Sequence, residues 1–292
     1  MSGPRRSFKP ELCCLFGKPV AENPTQPMIE AAFRDRGLDW RYVQFEIEPE
    51  ALGDAVRGMR AMGFRGGNVT TPHKVAIVKH LDRVAESASL MGAVNCVVRR
   101  GGELVGENTD GKGFVRSLRG LTDPAGRKVV VLGAGGAARA ISVELALAGA
   151  KSLVIVNRDR ERGRDLAGLL RAKTGAGVEL SGWDGDCRVP PDADVLVNAT
   201  SIGLYPDVEA RIPLDLSTLS PRTVVADVIP NPPETRLLRD ARARGCAVLD
   251  GLGMLVNQGV IGFKYWTGID ADPAVMRRAL EDVFGAQPGR LR

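Results

Sequence analysis

The chain has 292 residues, 44% of them hydrophobic and 26% charged, with 40 Lys and Arg against 35 Asp and Glu for a net charge of +5. That length suits about two domains, and the composition excludes intrinsic disorder and fibrous repeats. No apolar run reaches the roughly 18 residues that a membrane-spanning helix needs, so no membrane partner is expected. The positive excess is spread along the chain without a block of like charges, so nucleic acid is not an expected partner and an anionic small molecule suits the charge equally well. Met1–Leu12 carries basic residues with no apolar stretch behind them, so no secretory leader is expected. Five cysteines form no CxxC pair and no metal-ligand pattern, so we expect reduced thiols, no metal and a cytoplasmic protein.

In chain order, Leu12–Gly17 predicts a buried strand and Met28–Arg36 a helix. Arg41–Ile47 alternates as a strand does, and Pro49 opens a helix that reaches Met62. Gly66–Thr70 is a short strand. Thr71-Pro72 then predicts an N-cap with proline at the first helical position, which places Lys74 in a first helical turn. Ala93–Arg100 and Glu103–Val105 flank Gly101-Gly102 as a hairpin. Gly111–Arg119 predicts a linking helix, and Asp123–Gly126 a turn. A clean strand, Lys128–Gly133, leads through a glycine loop and an alanine-rich helix to a second strand, Ser152–Asn157. Asp194–Asn198 and Thr223–Val228 are further strands whose following loops are expected to face one cleft. Gly251–Thr267 is helical, with apolar Leu252, Leu255, Val256, Phe263 and Trp266, and Asp272-Pro273 caps a last helix that runs to Phe284. Repeated strand–helix order argues for an α/β fold in two domains. An N-terminal α/β substrate domain with a mostly parallel sheet is expected over 1–110, completed by 251–292, and a Rossmann-like dinucleotide-binding domain over 111–250.

Gly133-Ala134-Gly135-Gly136-Ala137-Ala138 fits G-x-G-x-x-A directly after a strand and at the opening of a helix. The first glycine permits the tight turn, and the second lets the backbone approach a pyrophosphate. The small Ala138 lets helix and strand pack closely. Where an NAD site carries an acid at the end of the second strand, this chain has Asn157-Arg158. A guanidinium binds a phosphate bidentately, so Arg158 favours the 2′-phosphate of NADP. Arg160, Arg162 and Arg164 stand nearby, while Asp159 opposes the argument and keeps NAD as the alternative.

Hydride transfer at an alcohol needs a proton donor or acceptor at the oxygen. Lys74 suits that task, since a helix N-terminus disfavours a cation and would lower its pKa, and Asp110 is placed to hold it. A solvated lysine and a helix-capping aspartate satisfy the same spacing.

Taken together, Asn68-Val69-Thr70-Thr71-Pro72-His73-Lys74, Ala93-Val94-Asn95, Glu107-Asn108-Thr109-Asp110-Gly111, Gly133–Ala138, Asn157-Arg158, Asn198–Gly203 and Asp250–Gln258 resemble the shikimate dehydrogenases, in order and spacing over nearly the whole chain. That family reduces 3-dehydroshikimate to shikimate with NADPH, on the route to chorismate and the aromatic amino acids, and relatives act on quinate or aminoshikimate. The resemblance implies that Lys74 is the acid/base, with Asp110 paired to it and to a substrate hydroxyl. It implies that Thr70, Asn95 and Gln258 bind hydroxyls of a small polyol carboxylic acid. It places Gly133, Ala134, Gly135, Gly136, Ala137, Asn157, Arg158 and Arg162 on the dinucleotide. Thr200 and Gly251 would lie near its nicotinamide end, with Val228 also on the cofactor. A monomer or homodimer is expected.

Two departures fall at the substrate. Where the family carries Ser-x-Ser for the substrate carboxylate, this chain has Asn23-Pro24-Thr25, and Pro24 restricts Asn23 to extended backbone. Asn23 and Thr25 are still able to donate hydrogen bonds. A family tyrosine falls at Pro230, which has no hydroxyl. These changes support quinate, aminoshikimate or another cyclitol acid as alternative substrates. A catalytically silent dinucleotide-binding regulator is the alternative of another class, and retention of both Lys74 and Asp110 argues against it.

Overall fold

A computed structural model describes residues 8–285 and divides the chain into two compact units, one running to Asn108 and resuming at Gly259, the other Thr109–Gln258. The first unit begins with β1 (Glu11–Gly17), α1 (Thr25–Asp35), β2 (Trp40–Glu46), α2 (Leu52–Ala61), β3 (Gly66–Val69) and α3 (His73–Ala76). It continues with β4 (Arg83–Val84), α4 (Glu86–Met91), β5 (Cys96–Arg100) and β6 (Glu103–Glu107). The second unit holds α5 (Asp110–Leu118), β7 (Lys128–Leu132), α6 (Gly136–Leu147), β8 (Ser152–Asn157), α7 (Arg160–Thr174) and β9 (Gly177–Gly182). After these come β10 (Val195–Asn198), β11 (Val224–Asp227), α8 (Arg236–Ala243) and β12 (Val248–Leu249). The division between units falls inside α9 (Gly251–Thr267), and α10 (Pro273–Gly285) ends the first unit.

In the first unit the strand order is β2-β1-β3-β5-β6-β4. β2, β1 and β3 run parallel, while β5 and β6 form the antiparallel hairpin around Gly101-Gly102. Cys14, Phe16 and Val69 from the strands pack with Leu52, Val56 and Met59 of α2 in one buried cluster. Close strand packing explains Gly67, where a Cβ would meet the Cys14 carbonyl oxygen at 2.3 Å.

In the second unit the order is β12-β11-β10-β7-β8-β9, with every ladder parallel. This is the doubly wound arrangement, in which chain direction switches sides between β7 and β10. Val129, Val130, Val131 and Leu132 are all fully buried, because helices cover both faces of a parallel sheet. Val130, Leu132, Leu196 and Val225 form one core face with Leu237, Leu238 and Ala241 of α8.

Several boundaries differ from the sequence expectation. α1 starts at Thr25 rather than Met28, because the Asn23 Oδ1 accepts the Thr25 amide at 3.0 Å and turns the chain early. Thr71 does not cap the next helix: the Thr71–Pro72 bond is cis, and Pro72, with no polar side chain, takes the cap position. That helix is a single turn ending at Ala76, so it brings only a small dipole to Lys74. The short strands β4 and β12 and the six-residue helix α4 are too short to show a period, and β9 gained no strand signal from its glycine-bounded sequence. α8 was not expected from the sequence although it is amphipathic, with Leu237, Leu238 and Ala241 on its buried side.

Leu196 is fully buried at the centre of this sheet. Leu196→Ala should therefore lose about 2–5 kcal/mol of unfolding free energy in urea titrations. Leu147→Ala, at a side chain 47% exposed, should stay within about 0.5 kcal/mol of the parent.

Candidate active site

In the first unit, the residues expected at the substrate gather at the carboxyl edge of β1 and β3. The Thr70 amide donates to the Phe16 carbonyl at 2.9 Å and the Val69 amide to the Asn95 carbonyl at 2.8 Å, so Thr70 and Asn95 share that edge. The Val94 amide donates to the Lys74 carbonyl at 2.8 Å, which ties the lysine's turn to the Asn95 segment. His73 is buried and its Nε2 donates to the Ile47 carbonyl at 2.8 Å, so this histidine anchors the turn. Lys74 itself is half-buried.

Beneath these groups lies a support that the sequence did not reveal. The Tyr42 hydroxyl donates to the Asn68 Oδ1 at 2.7 Å, and the Asn68 Nδ2 donates to the Asn95 carbonyl at 3.2 Å. Burial pushes the Tyr42 phenol well above its ordinary range, so it remains a donor. Tyr42 reads from the sequence as an ordinary β-strand aromatic. Asn23 is partly committed to the fold: besides its bond to the Thr25 amide, its carbonyl accepts the Gln44 Nε2 at 2.9 Å. Thr25 is 5% exposed as the first residue of α1.

In the second unit, Asp110 opens α5. Gln258 is 5% exposed and its Oε1 accepts the Thr109 hydroxyl at 3.3 Å. A cleft at the β7/β10 switch is lined by Gly133, Ala134 and Gly135, by Asn157 and Arg158, and by Ala199–Ile202 with Trp183. Gly133 has φ +110°, and a Cβ there would come within 2.9 Å of the Ala199 carbonyl oxygen. Gly135 and Gly136 instead face open space, with no atom within 4 Å of where a Cβ would be. No side chain caps α6. Its first amides are thus presented to the cleft beside a clear backbone, the arrangement that accepts a pyrophosphate. The residues present fit a dinucleotide.

The neighbouring arginines divide by their partners. Arg160 pairs with Asp184 at 2.7 Å and Arg162 with Asp159 at 3.4 Å, and neither lines the cleft. Asp159 caps α7, its Oδ1 accepting the Glu161 and Arg162 amides at 3.0 and 3.1 Å. The carboxylate that opposed a phosphate in the sequence thus has a structural employment, and Arg158 is the arginine on the cleft wall. Gly251 sits where a Cβ would be 2.2 Å from the Ile229 carbonyl oxygen, so backbone contact alone demands glycine there. The Val228 amide donates to the Asn198 carbonyl at 3.1 Å. Trp183, which the sequence did not single out, is 6% exposed and donates its Nε1 hydrogen to the Pro213 carbonyl at 2.8 Å.

Behind the cleft, Asp227 is 2% exposed. It accepts the Asn198 Nδ2 at 3.0 Å, the Ile229 amide at 3.1 Å and the Thr235 hydroxyl at 2.8 Å. Burial nonetheless raises this carboxyl to about 6, its hydrogen bonds pulling the other way. Since that is above the ordinary carboxylate value, the folded chain holds this proton where the unfolded chain has lost it. Asp227 therefore lowers stability as pH rises from about 4 to 6.

Truncating Arg158, the arginine on the cleft wall among the described residues, tests its role. Arg158→Ala should weaken NADP+ binding about 10–100-fold, the cost of losing charge-assisted bonds to a phosphate, and should change NAD+ binding little. Equal losses in calorimetric titrations with the two nucleotides would show that Arg158 does not read the 2′-phosphate.

Three family models match successive segments of the chain. Residues 15–97 match the model of the shikimate dehydrogenase substrate binding domain, residues 117–204 that of shikimate/quinate 5-dehydrogenase, and residues 251–281 that of the shikimate 5′-dehydrogenase C-terminal domain. The shikimate dehydrogenase (NADP(+)) of Moorella thermoacetica is 45% identical over 282 residues, 95% of each chain. The ligand-free 5-ketofructose reductase of Gluconobacter sp. strain CHM43 is 54% identical, with a TM-score of 0.93, over 95% of this chain and all of that one. A shikimate dehydrogenase solved in complex with NADP+ is 38% identical, with a TM-score of 0.88, over 96% of this chain and 99% of that one. Among the described residues no helix is long and apolar enough to cross a membrane. The chain belongs to the shikimate dehydrogenase family and is an NAD(P)-dependent oxidoreductase acting on a CH–OH group.

Proposed function

We propose that this chain interconverts a secondary alcohol and a ketone on a compact polyhydroxylated substrate, shikimate and 3-dehydroshikimate being the pair, with NADP(H) as cofactor. The observation that carries this reading is the cleft at the β7/β10 switch, where open glycine backbone, uncapped α6 amides and Arg158 stand together. When bound, the nicotinamide supplies or accepts the hydride. Lys74 gives a proton to the ketone oxygen during reduction and takes it back during oxidation, with Asp110 as the second catalytic residue. Thr70, Asn95 and Gln258 recognise ring hydroxyls, and each such bond left unmade by a wrong substrate costs about 1–3 kcal/mol. NADP over NAD is supported by Arg158 and by the NADP(+) named for the Moorella relative. A cytoplasmic setting is supported by five free thiols, at Cys13, Cys14, Cys96, Cys187 and Cys246.

A second reading of the substrate is favoured by a specific observation. The Gluconobacter 5-ketofructose reductase is more similar in sequence to this chain than either shikimate dehydrogenase described above. 5-Ketofructose is an uncharged polyhydroxy ketone. A substrate without a carboxylate agrees with Asn23-Pro24-Thr25 and Pro230, which supply no pair of serine hydroxyls and no tyrosine. It agrees too with the commitment of Asn23 to the turn before α1.

Initial rates with 3-dehydroshikimate and 5-ketofructose, each with NADPH and NADH, separate these readings. Efficient reduction of 3-dehydroshikimate supports the first, and turnover of 5-ketofructose alone supports the second. Inactivity on both, and on shikimate and quinate in the oxidative direction, would overturn both. On whichever substrate is turned over, Lys74→Ala should lower kcat by about 10²–10⁴ and leave NADPH affinity nearly unchanged. Normal turnover in that variant would remove Lys74 from the mechanism.

A further inference from the structure

We propose that Asp227 is a positioning residue for the nucleotide cleft: it fixes the β10 wall through Asn198 and Thr200, and its negative charge sets how firmly that wall is held. This rests on the dinucleotide reading of the cleft given above. Asp227 does not line the cleft, whereas Ala199, Thr200, Ser201 and Ile202 do. A relay of hydrogen bonds joins them. Asp227 accepts the Asn198 Nδ2 at 3.0 Å. The Asn198 Oδ1 accepts the Thr200 amide at 3.0 Å and the Thr200 hydroxyl at 2.7 Å. The Thr200 Oγ1 in turn accepts the Ile202 amide at 3.1 Å.

Donor and acceptor chemistry makes this relay directional. A backbone amide only donates, so Asn198 must turn its oxygen toward Thr200. An ionised carboxylate only accepts, so Asn198 must turn its NH2 group toward Asp227. The two demands agree, and they exclude the flipped side-chain amide that would put two donors face to face at Thr200. A protonated carboxyl both donates and accepts, so it enforces neither orientation and holds Asn198 by a weaker, uncharged bond.

The groups facing the carboxyl are all neutral. They are Asn198 at the end of β10, Thr235 at the head of α8, and the Val228 and Ile229 amides after β11. An asparagine at 227 has enough acceptors and donors for the same partners, its Oδ1 toward Asn198 and Ile229 and its NH2 toward the Thr235 oxygen. The chain nevertheless places an acid where burial opposes its charge, which is the mark of a group kept for a task other than stability. The relay gives that task.

The experiment is titration of the full-length chain with NADP+ by calorimetry, parent beside Asp227→Asn, between about pH 5 and 8. The ratio of the two Kd values is the readout, because titration of the ligand's own 2′-phosphate cancels in it. The variant should bind about tenfold more weakly at pH 8, the loss expected when a charge-assisted bond becomes a neutral one. The ratio should fall to one below the titration of Asp227. Thr235→Val removes one donor from the carboxyl without touching the cleft, and should move the pH midpoint of parent-type binding upward. That second variant decides the matter if Asp227→Asn does not fold. A ratio of one throughout, or a loss that is the same at every pH, together with an unmoved midpoint in Thr235→Val, would overturn the proposal. A parent chain that binds no NADP+ or NAD+ would overturn the dinucleotide reading itself, which is a separate result.

Discussion

The binding surface of the second unit depends on how its parallel sheet is buried. Helices cover both faces, so Val129–Leu132 of β7 and Leu153–Val156 of β8 spend every side chain on packing. Polar chemistry is left to the carboxyl ends of the strands, where the chain leaves the sheet. There the last residues of β10 and β11 are Asn198 and Asp227, both buried and both hydrogen-bonded to the loops that follow. The glycine turn after β7 meets the β10 loop at the switch of strand order, where the two connections diverge and leave a cleft. An apolar pair at 198 and 227 would pack as well, but it would leave the Thr200 and Ile229 amides without their acceptors.

The first unit solves the same problem with a mixed sheet. β1 and β3 are parallel and bring Gly17 and Thr70 to one edge, and the antiparallel β5 returns Asn95 to that edge from the other direction. A layer of buried polar side chains then braces that edge. Tyr42, Asn68 and the Asn95 carbonyl form one connected line, and a fully satisfied line of this kind is more rigid than its separate bonds. His73, adjacent to Lys74, does comparable work by bonding to Ile47.

Within such a frame, the identity of the substrate is decided by few side chains. The proposed hydride and proton chemistry asks for a nucleotide cleft and a lysine, and this chain supplies the cleft at the β7/β10 switch and Lys74. In the function proposed above, whether a carboxylate is bound turns on Asn23, Thr25 and Pro230, positions where hydrogen-bonding groups are able to change without a change of fold. Both shikimate dehydrogenases and a 5-ketofructose reductase stand among the relatives of this chain.

Much of this was legible in the amino-acid order. The α/β class, the strand–glycine–helix unit at Lys128–Leu147 and the exact span of α9 follow from periodicity and turn residues, which act over a few neighbours. The placement of Arg158 at the end of β8 followed from counting past the glycine loop. Other features had no local signal. Asp159 looked like an obstacle to a phosphate, and its service as the α7 cap appears only once the helix start is known. Thr71-Pro72 carried the pattern of a helix start, and the helix does begin there, one residue later than the pattern indicates, with Pro72 at the cap position. By itself the sequence determined which segments become strands and helices, and which residue types stand at their ends. Only the tertiary structure decided that Tyr42 supports Asn68, that Trp183 walls the cleft and that Asp227 commands Asn198. Those pairings join residues far apart in the chain, and strand order, set by packing of the whole sheet, is what brings them within hydrogen-bonding distance.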